Sequence, residues 1–150
     1  MIEDWVDVTG RSAKAVAGEM GFRACQILGA ERVLPKGLAG AFIPLVGQSA
    51  SLQLGVLSTK VGQEGLARVV LQMEPGDVID TEDVTDAVGE LSNCLVGRIK
   101  REMRKVDPSL KIGLPVFIEG SVQDTGSSDF RTLGAIMNDI RVSILIIVGV

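Results

Sequence analysis

In the stretch "TDAVGELSNCLVGRIK", residues 85–100, a carboxylate and a carboxamide, Glu90 and Asn93, stand three residues apart with Gly89 and Gly97 beside them. The stretch reads as helix, yet glycine costs a helix about 1 kcal/mol relative to alanine and asparagine is little better. Something must offset that cost, and a helix surface kept low beside two polar groups lets a partner's backbone come close. The chemistry open to such a pair is narrowed by what the chain lacks. It has no histidine, which removes the Ser/His/Asp and Cys/His nucleophile systems. Its two cysteines, Cys25 and Cys94, make neither a disulfide framework nor, without histidine, a zinc site, and fit a reducing, cytoplasmic compartment. Cys94 follows Asn93 directly but points elsewhere on the helical wheel and reads as a packing residue, since no positive group is placed to activate it.

Other candidates are weaker. "GLAGAF", residues 37–42, is glycine-rich but lacks the following Lys-Ser/Thr of a phosphate loop and reads as a turn. Ser127, Ser128 and Asp129 fall in a polar loop with no base nearby. Arg23 and Arg32 read as solvated, and Trp5, the one tryptophan, as a core or interface anchor.

The element that must position the pair is a helix from about Glu82 to Val106, stopping before Pro108. At ~100° per residue, Val84, Val88, Leu91, Leu95, Ile99, Met103 and Val106 form one apolar stripe, which must face the core. Asp86, Glu90, Asn93 and Gly97 advance by four, three and four residues and form a second stripe almost opposite, facing water or another molecule. Asp80 or Thr81 can cap the start, where Glu82, Asp83 and Asp86 complement the helix dipole. Lys100, Arg101, Arg104 and Lys105 do the same near the end. Face physics stops there: an exposed Glu and Asn on the wet side of an amphipathic helix are usually just solvated, and they identify no reaction.

Around this helix the pattern alternates between helix and strand. Glu3 to about Met20 is spaced as a helix, with Trp5, Val8, Val16 and Met20 inward and Gly21 as stop. "FRACQILGAERVL" is a candidate strand with Phe22, Ala24, Gln26 and Leu28 on one side, closed by Pro35. "AGAFIPLVG" and "ASLQLGVLS" flank a turn and read as a hairpin. "KVGQEGLARVVLQM" returns to helical spacing before the turn "EPGD". "KIGLPVFIEG" is a strand whose Pro115 suits an edge or irregular position, "SVQDTGSSD" a polar loop, and residues 131–150 one or two strands broken near Asn138 and Asp139. The apolar "VSILIIVGV" is far short of the ~20 residues of a membrane helix. It suits a strand buried on both faces or paired across a subunit boundary. No short-period repeat is visible. The expectation is one α+β domain over residues 1–150, an antiparallel sheet covered by long helices, one of them exposed and site-bearing. Hydrophobic residues at 46%, charged residues at 23% and a net charge of −4 suit a soluble globular protein and argue for neither nucleic acid nor anionic membrane as partner. The opening "MIEDWVDVTG" is acidic and unlike a signal peptide.

"DAVGELSN" followed by "IGLPVFIEG" resembles the CheC/CheX group of chemotaxis phosphatases, which remove phosphate from the response regulator CheY. The family pattern is Asp or Ser, three residues, Glu, two residues, Asn, and a proline about 22 residues on. Asp86, Glu90 and Asn93 fit directly, and Pro115 follows one residue short of that spacing. Gly97 and Lys100 resemble the family's continuation of the helix, and the order of elements is similar over nearly the whole chain. Some members carry two such sites on related helices. Here the first helix offers Glu19, but three residues later stands Phe22, so a single site is expected, closer to CheX than to two-site CheC.

The resemblance implies an aspartyl-phosphate phosphatase of a CheY-like receiver, with Glu90 and Asn93 catalytic. Asp86, Gly89, Gly97, Lys100 and Arg104 would contact the partner. It implies no cofactor or metal of the chain's own, the divalent metal (Mg) residing in the receiver, and a homodimer with sheets joined across the subunits, for which the apolar C-terminal strand is suited. An acyl phosphate is already activated, so the missing element is a water aligned opposite the leaving carboxylate oxygen. A carboxamide accepts from that water and donates to a phosphoryl oxygen without adding negative charge. Glu90, one turn away, would pair with a partner lysine. Two alternatives stay open: a non-catalytic module of the same fold binding a receiver or flagellar-switch-type partner, and a dimeric scaffold without a phospho-partner.

Overall fold

A computed structural model describes residues 2–118 and 129–149; most of the expected polar loop "SVQDTGSSD" lies outside them. The element order is α1 (Ile2–Glu19), β1 (Cys25–Glu31), β2 (Ala39–Val46), β3 (Ser51–Ser58), α2 (Lys60–Val70), α3 (Thr81–Met103), β4 (Lys111–Ile112), β5 (Val116–Ile118), β6 (Asp129–Met137) and β7 (Ile140–Val148). The described strands form one antiparallel sheet ordered β1-β6-β7-β3-β2-β4, with β5 also on β2. The α+β expectation therefore holds.

The chain supplies local reasons for these elements. β2 and β3 pair in unbroken register from Ala39↔Ser58 to Val46↔Ser51, so the expected hairpin forms, closed by Gly47 N–H donating to the Ala50 carbonyl at 2.7 Å. Phe42 lies opposite Gly55, and a Cβ at Gly55 would stand 2.7 Å from its ring. Any side chain there would displace the aromatic that anchors the far face of the sheet. β6 and β7 meet at Asn138, whose φ of 56° is the left-handed conformation that asparagine tolerates. Its Oδ1 accepts from the backbone N–H of Arg23 and Ala24 at 2.8 and 3.2 Å, which ties the entry of β1 to this turn.

The main core lies between the sheet and the helices. Trp5, Val8, Val16 and Ala17 of α1 and Leu91, Leu95, Val96 and Ile99 of α3 pack on Ile43, Leu54, Leu133, Ile144 and their neighbours. Trp5 is thus a core residue. The opposite face holds a smaller cluster of Phe42, Leu57, Phe130 and Leu145, covered by Leu34 and Leu38.

Several expectations need correction. α3 ends at Met103, and Val106, assigned to the buried stripe, is 64% exposed. β1 starts at Cys25 and shifts register between Ile27 and Ala30. The alternation from Phe22 to Leu28 is therefore broken: Phe22 is buried in the main core outside the strand, while Ala24 and Gln26 are exposed. α2 stops at Val70, before Met73. Ala39–Phe42 of the supposed turn "GLAGAF" lie in β2. The C-terminal strand is not free for a subunit boundary: β7 lies between β6 and β3 of its own chain, with Val142, Ile144, Leu145 and Ile146 fully buried. Pro115 separates two short edge strands, as its missing N–H and fixed φ require.

Candidate functional site

The site helix α3 is fixed at its start, along its underside and just beyond its end. Asp80 is the N-cap, its Oδ1 accepting from the Asp83 N–H at 2.9 Å; such a cap is worth about 1 kcal/mol. Val84, Val88, Leu91, Leu95, Ile99 and Met103 are buried as the wheel requires. Beneath the first turns, Phe117 of β5 packs with Val84, Ala87 and Val88, so the segment after Pro115 supports the underside of the helix.

Past the C-terminus Asp107, 3% exposed, closes the structure. Its Oδ1 accepts from the Ser109 N–H at 2.9 Å and from the Ser109 hydroxyl, and its Oδ2 from the Ser49 N–H at 2.8 Å. These bonds hold its carboxyl below the usual range, the Ser109 hydroxyl contributing most and the Ser49 amide next. The end of α3 is thereby tied to the β2–β3 turn.

On the opposite face the two-residue pair is open. Asp86, Glu90, Asn93 and Arg104 are exposed, with Gly89, Gly97 and Lys100 half-buried. Asn93 makes no hydrogen bond within the described residues, so its carboxamide keeps both donor and acceptor capacity for another molecule. A Cβ at Gly89 or Gly97 would meet nothing within 4 Å; neither glycine is required by packing inside the chain. Lys100 and Arg104 join no ion pair among the described residues. Along 1.5 Å per residue the face from Asp86 to Arg104 runs about 27 Å, with the carboxylate and carboxamide in its N-terminal half.

Glu90 is less free than its exposure suggests. The Cys94 thiol donates to Glu90 Oε1 at 3.5 Å. Cys94 is half-buried against the main core, and burial pushes its pKa up, with the Glu90 bond and the Glu90 and Glu19 charges adding to the rise. It stays a neutral thiol, a packing residue that also orients Glu90, and no nucleophile.

The first helix offers no second site of this kind. Glu19 at the end of α1 is ion-paired to Arg98 of α3, and Phe22 is buried. Arg98 and Asp107 are structural supports of α3 that the sequence reading missed. "DPS" after a helix is a turn signal that could have found Asp107; nothing in the sequence singles out Arg98. Arg32, read as solvated, lies 5.7 Å from the centroid of Phe130 and 4.0 Å from Asp129. The Arg131 guanidinium, bonded to Asp129, lowers that carboxyl's pKa, so Asp129 is a paired anion. Ser127 and Ser128 lie outside the described residues. Among the described residues no cluster of three or more His, Cys, Asp or Glu is placed to hold a metal, and no helix is long and apolar enough to cross a membrane.

The profile of the family described as "Chemotaxis phosphatase CheX" matches residues 39–129, well over half the chain and the whole of α3. The chain belongs to the CheX family. No curated protein matches it in sequence, but solved structures share its fold. A CheC-like superfamily protein from Shewanella sp. PV-4 is 19% identical, with 98% of each chain covered and a TM-score of 0.80. The chemotaxis protein CheX from Vibrio vulnificus is 19% identical, covering 97% of this chain and 99% of its own, with a TM-score of 0.77. A third, from a CheX–CheY–BeF3–Mg2+ complex of Borrelia burgdorferi, is 15% identical over 97% of this chain and 96% of its own, with a TM-score of 0.72. At these identities the likeness concerns the fold, and the family assignment rests on the profile match. In CheX terms, Asp86, Glu90 and Asn93 lie on one open face of one helix.

Proposed function

We propose that this CheX-family chain hydrolyses the phospho-aspartate of a CheY-like receiver, Asn93 orienting the attacking water and Glu90 docking the receiver. The observation that carries this reading is the Asn93 carboxamide, exposed, unbonded among the described residues and flanked by glycines that withhold side chains from its face. Asn93 enters the receiver's phosphorylation pocket, accepts a hydrogen bond from water and donates to a phosphoryl oxygen. A carboxylate there would repel the anion. Glu90, its Oε1 held by the Cys94 thiol, pairs through its remaining lone pairs with a lysine of the receiver. Asp86, Lys100 and Arg104 rim the contact. Mg2+ belongs to the receiver's own site, in keeping with the related CheX fold found with CheY, BeF3 and Mg2+.

Two copies form a homodimer along the β4–β5 edge, where Leu114 and Val116 are 85% and 56% exposed, an apolar sheet edge that single chains normally cover. Charge at this edge, as V116E with L114E, is expected to yield a monomer in sedimentation; a dimer that persists removes the edge from the interface.

The test of the phosphatase reading loads a receiver with acetyl phosphate and follows its decay. Wild type shortens the phosphate lifetime. Asn93→Ala removes the acceleration, a loss of at least about 100-fold, while receiver binding is mostly kept; Glu90→Ala weakens both. A wild-type chain that binds the phosphorylated receiver without shortening its lifetime is instead a binding module.

A further inference from the structure

A second open surface lies on the far side of α2. Between α2, the β6–β7 turn and the entry of β1 runs a groove of ≈ 940 Å³. Its apolar part is formed by Val61, Val69 and Ile140, and Val61 is 75% exposed. Gly65 lets α2 close on the groove floor, since a Cβ there would stand 2.9 Å from Ile140 Cδ1. Around this floor stand Arg23, Arg68 and Arg141 against one carboxylate, Asp139.

None of the three arginines joins an ion pair among the described residues. Arg68 is steadied by its Nε donating to the Asp77 carbonyl at 2.8 Å, and the backbone of Arg23 is held by Asn138. The local sign is opposite to that of the chain, whose net charge is −4. The groove is separate from the Glu90–Asn93 face: α2 stands between them, with Leu66 and Ala67 turned to the core.

We propose that this groove docks an acidic amphipathic helix of a partner protein. Aliphatic side chains of that helix cover Val61, Val69 and Ile140, and its Asp or Glu residues pair with the guanidinium groups, which bind carboxylates through two parallel N–H donors. A small anion would engage the arginines but leave the apolar floor in water; a basic or neutral helix would leave three guanidiniums uncompensated. α2 has 11 residues, about 16 Å at 1.5 Å each, which sets the occupant at roughly three turns.

The test uses the full chain labelled with 15N and a capped peptide of leucine and glutamate, about twelve residues long, with a leucine–lysine counterpart as control. The expected result is saturable shifts at Val61, Gly62, Gly65, Val69 and Ile140 with a dissociation constant below about 1 mM. In R23E/R68E/R141E the affinity falls at least about tenfold, while amide dispersion and phosphatase activity stay at wild-type values. V61S, which keeps the arginines and adds no charge, also weakens the complex, separating a helix-docking groove from a bare cationic patch. Any of four results overturns the proposal: no saturation in that range, shifts spread over other faces, equal binding of the lysine peptide, or groove amides that move with protein concentration alone and so report a second copy. The binding readouts, unlike the activity control, are independent of Asn93, so a failed phosphatase assay leaves this proposal standing or falling by itself.

Discussion

Gly89 and Gly97 isolate the partner-facing role of α3 from its stability. Because a Cβ at either site meets nothing within 4 Å, alanine adds helix propensity without strain. G89A and G97A are each expected to raise unfolding free energy by about 0.8–1 kcal/mol in a denaturant titration. If the bare face is what admits the helix to a receiver, the same variants weaken receiver binding, and G97L abolishes it while keeping the fold. A G97L chain that still dephosphorylates its receiver at the wild-type rate sinks the close-approach argument. At this scale the geometry of the candidate face was largely legible. Asp86, Glu90 and Asn93 are assigned to one face by helical period, and that face is open. The Cys94–Glu90 bond was not legible. The wheel sets Cys94 aside, but residues four apart are neighbours on a helix, and whether a thiol reaches back depends on a rotamer that spacing does not specify.

At the scale of elements, the placement of α3 depends on the anchor just past its C-terminus. Asp107 bonds Ser109 and Ser49, and a Cβ at Gly47 would stand 2.4 Å from its Oδ2. Its carboxyl is lowered by these bonds, so between its folded pKa and the ordinary aspartate value of ~3.9 the unfolded chain binds the extra proton. The Asp107 contribution is therefore fully present above ~3.9 and is lost as pH falls through the lower folded value. Asp107→Asn is expected to be less stable than wild type at pH 7 and to lose this part of the acid dependence, which denaturant midpoints measured from pH 7 to pH 2 would show. Parallel midpoint curves for both proteins would exclude it. The same anchor explains why the helix stops short of its apolar period. Val106 continues that period, so periodicity alone extends α3; the N–H groups of Val106 and Asp107 both turn onto the Met103 carbonyl instead. In β1 the register shift between Ile27 and Ala30 broke the alternation in the same way. A local hydrogen-bond geometry overrode a correct pattern in each case. The capped start of α3, the β2–β3 hairpin and the break at Pro115 were legible because residue type and geometry agree there.

For the molecule as a whole, strand order shows an organisation that no sequence period displays. With β4 and β5, which both pair with β2 on either side of Pro115, counted as one broken strand, α1-β1-β2-β3 and α3-β4/β5-β6-β7 are two runs of one helix and three strands with α2 between them. Exchanging β1 with β5, β2 with β6 and β3 with β7 turns the order β1-β6-β7-β3-β2-β5 into itself read backwards. The halves have diverged in what they present: α3 carries Glu90 and Asn93 in the open, whereas Glu19 of α1 is committed to Arg98. The junction of the halves is the β3–β7 pairing, and without β7 the β1–β6 pair is cut off from the rest of the sheet. A chain stopped after Asp139 is expected to lack a cooperative thermal transition and to be digested rapidly by trypsin; a sharp melt would refute this. There is a biosynthetic corollary. The strand that welds the two halves is also the one made last among those described, so while residues 140–148 are still inside the ribosome, β3 and β6 each wait with an unzipped edge. Such edges invite pairing with other nascent chains until β7 emerges and closes both.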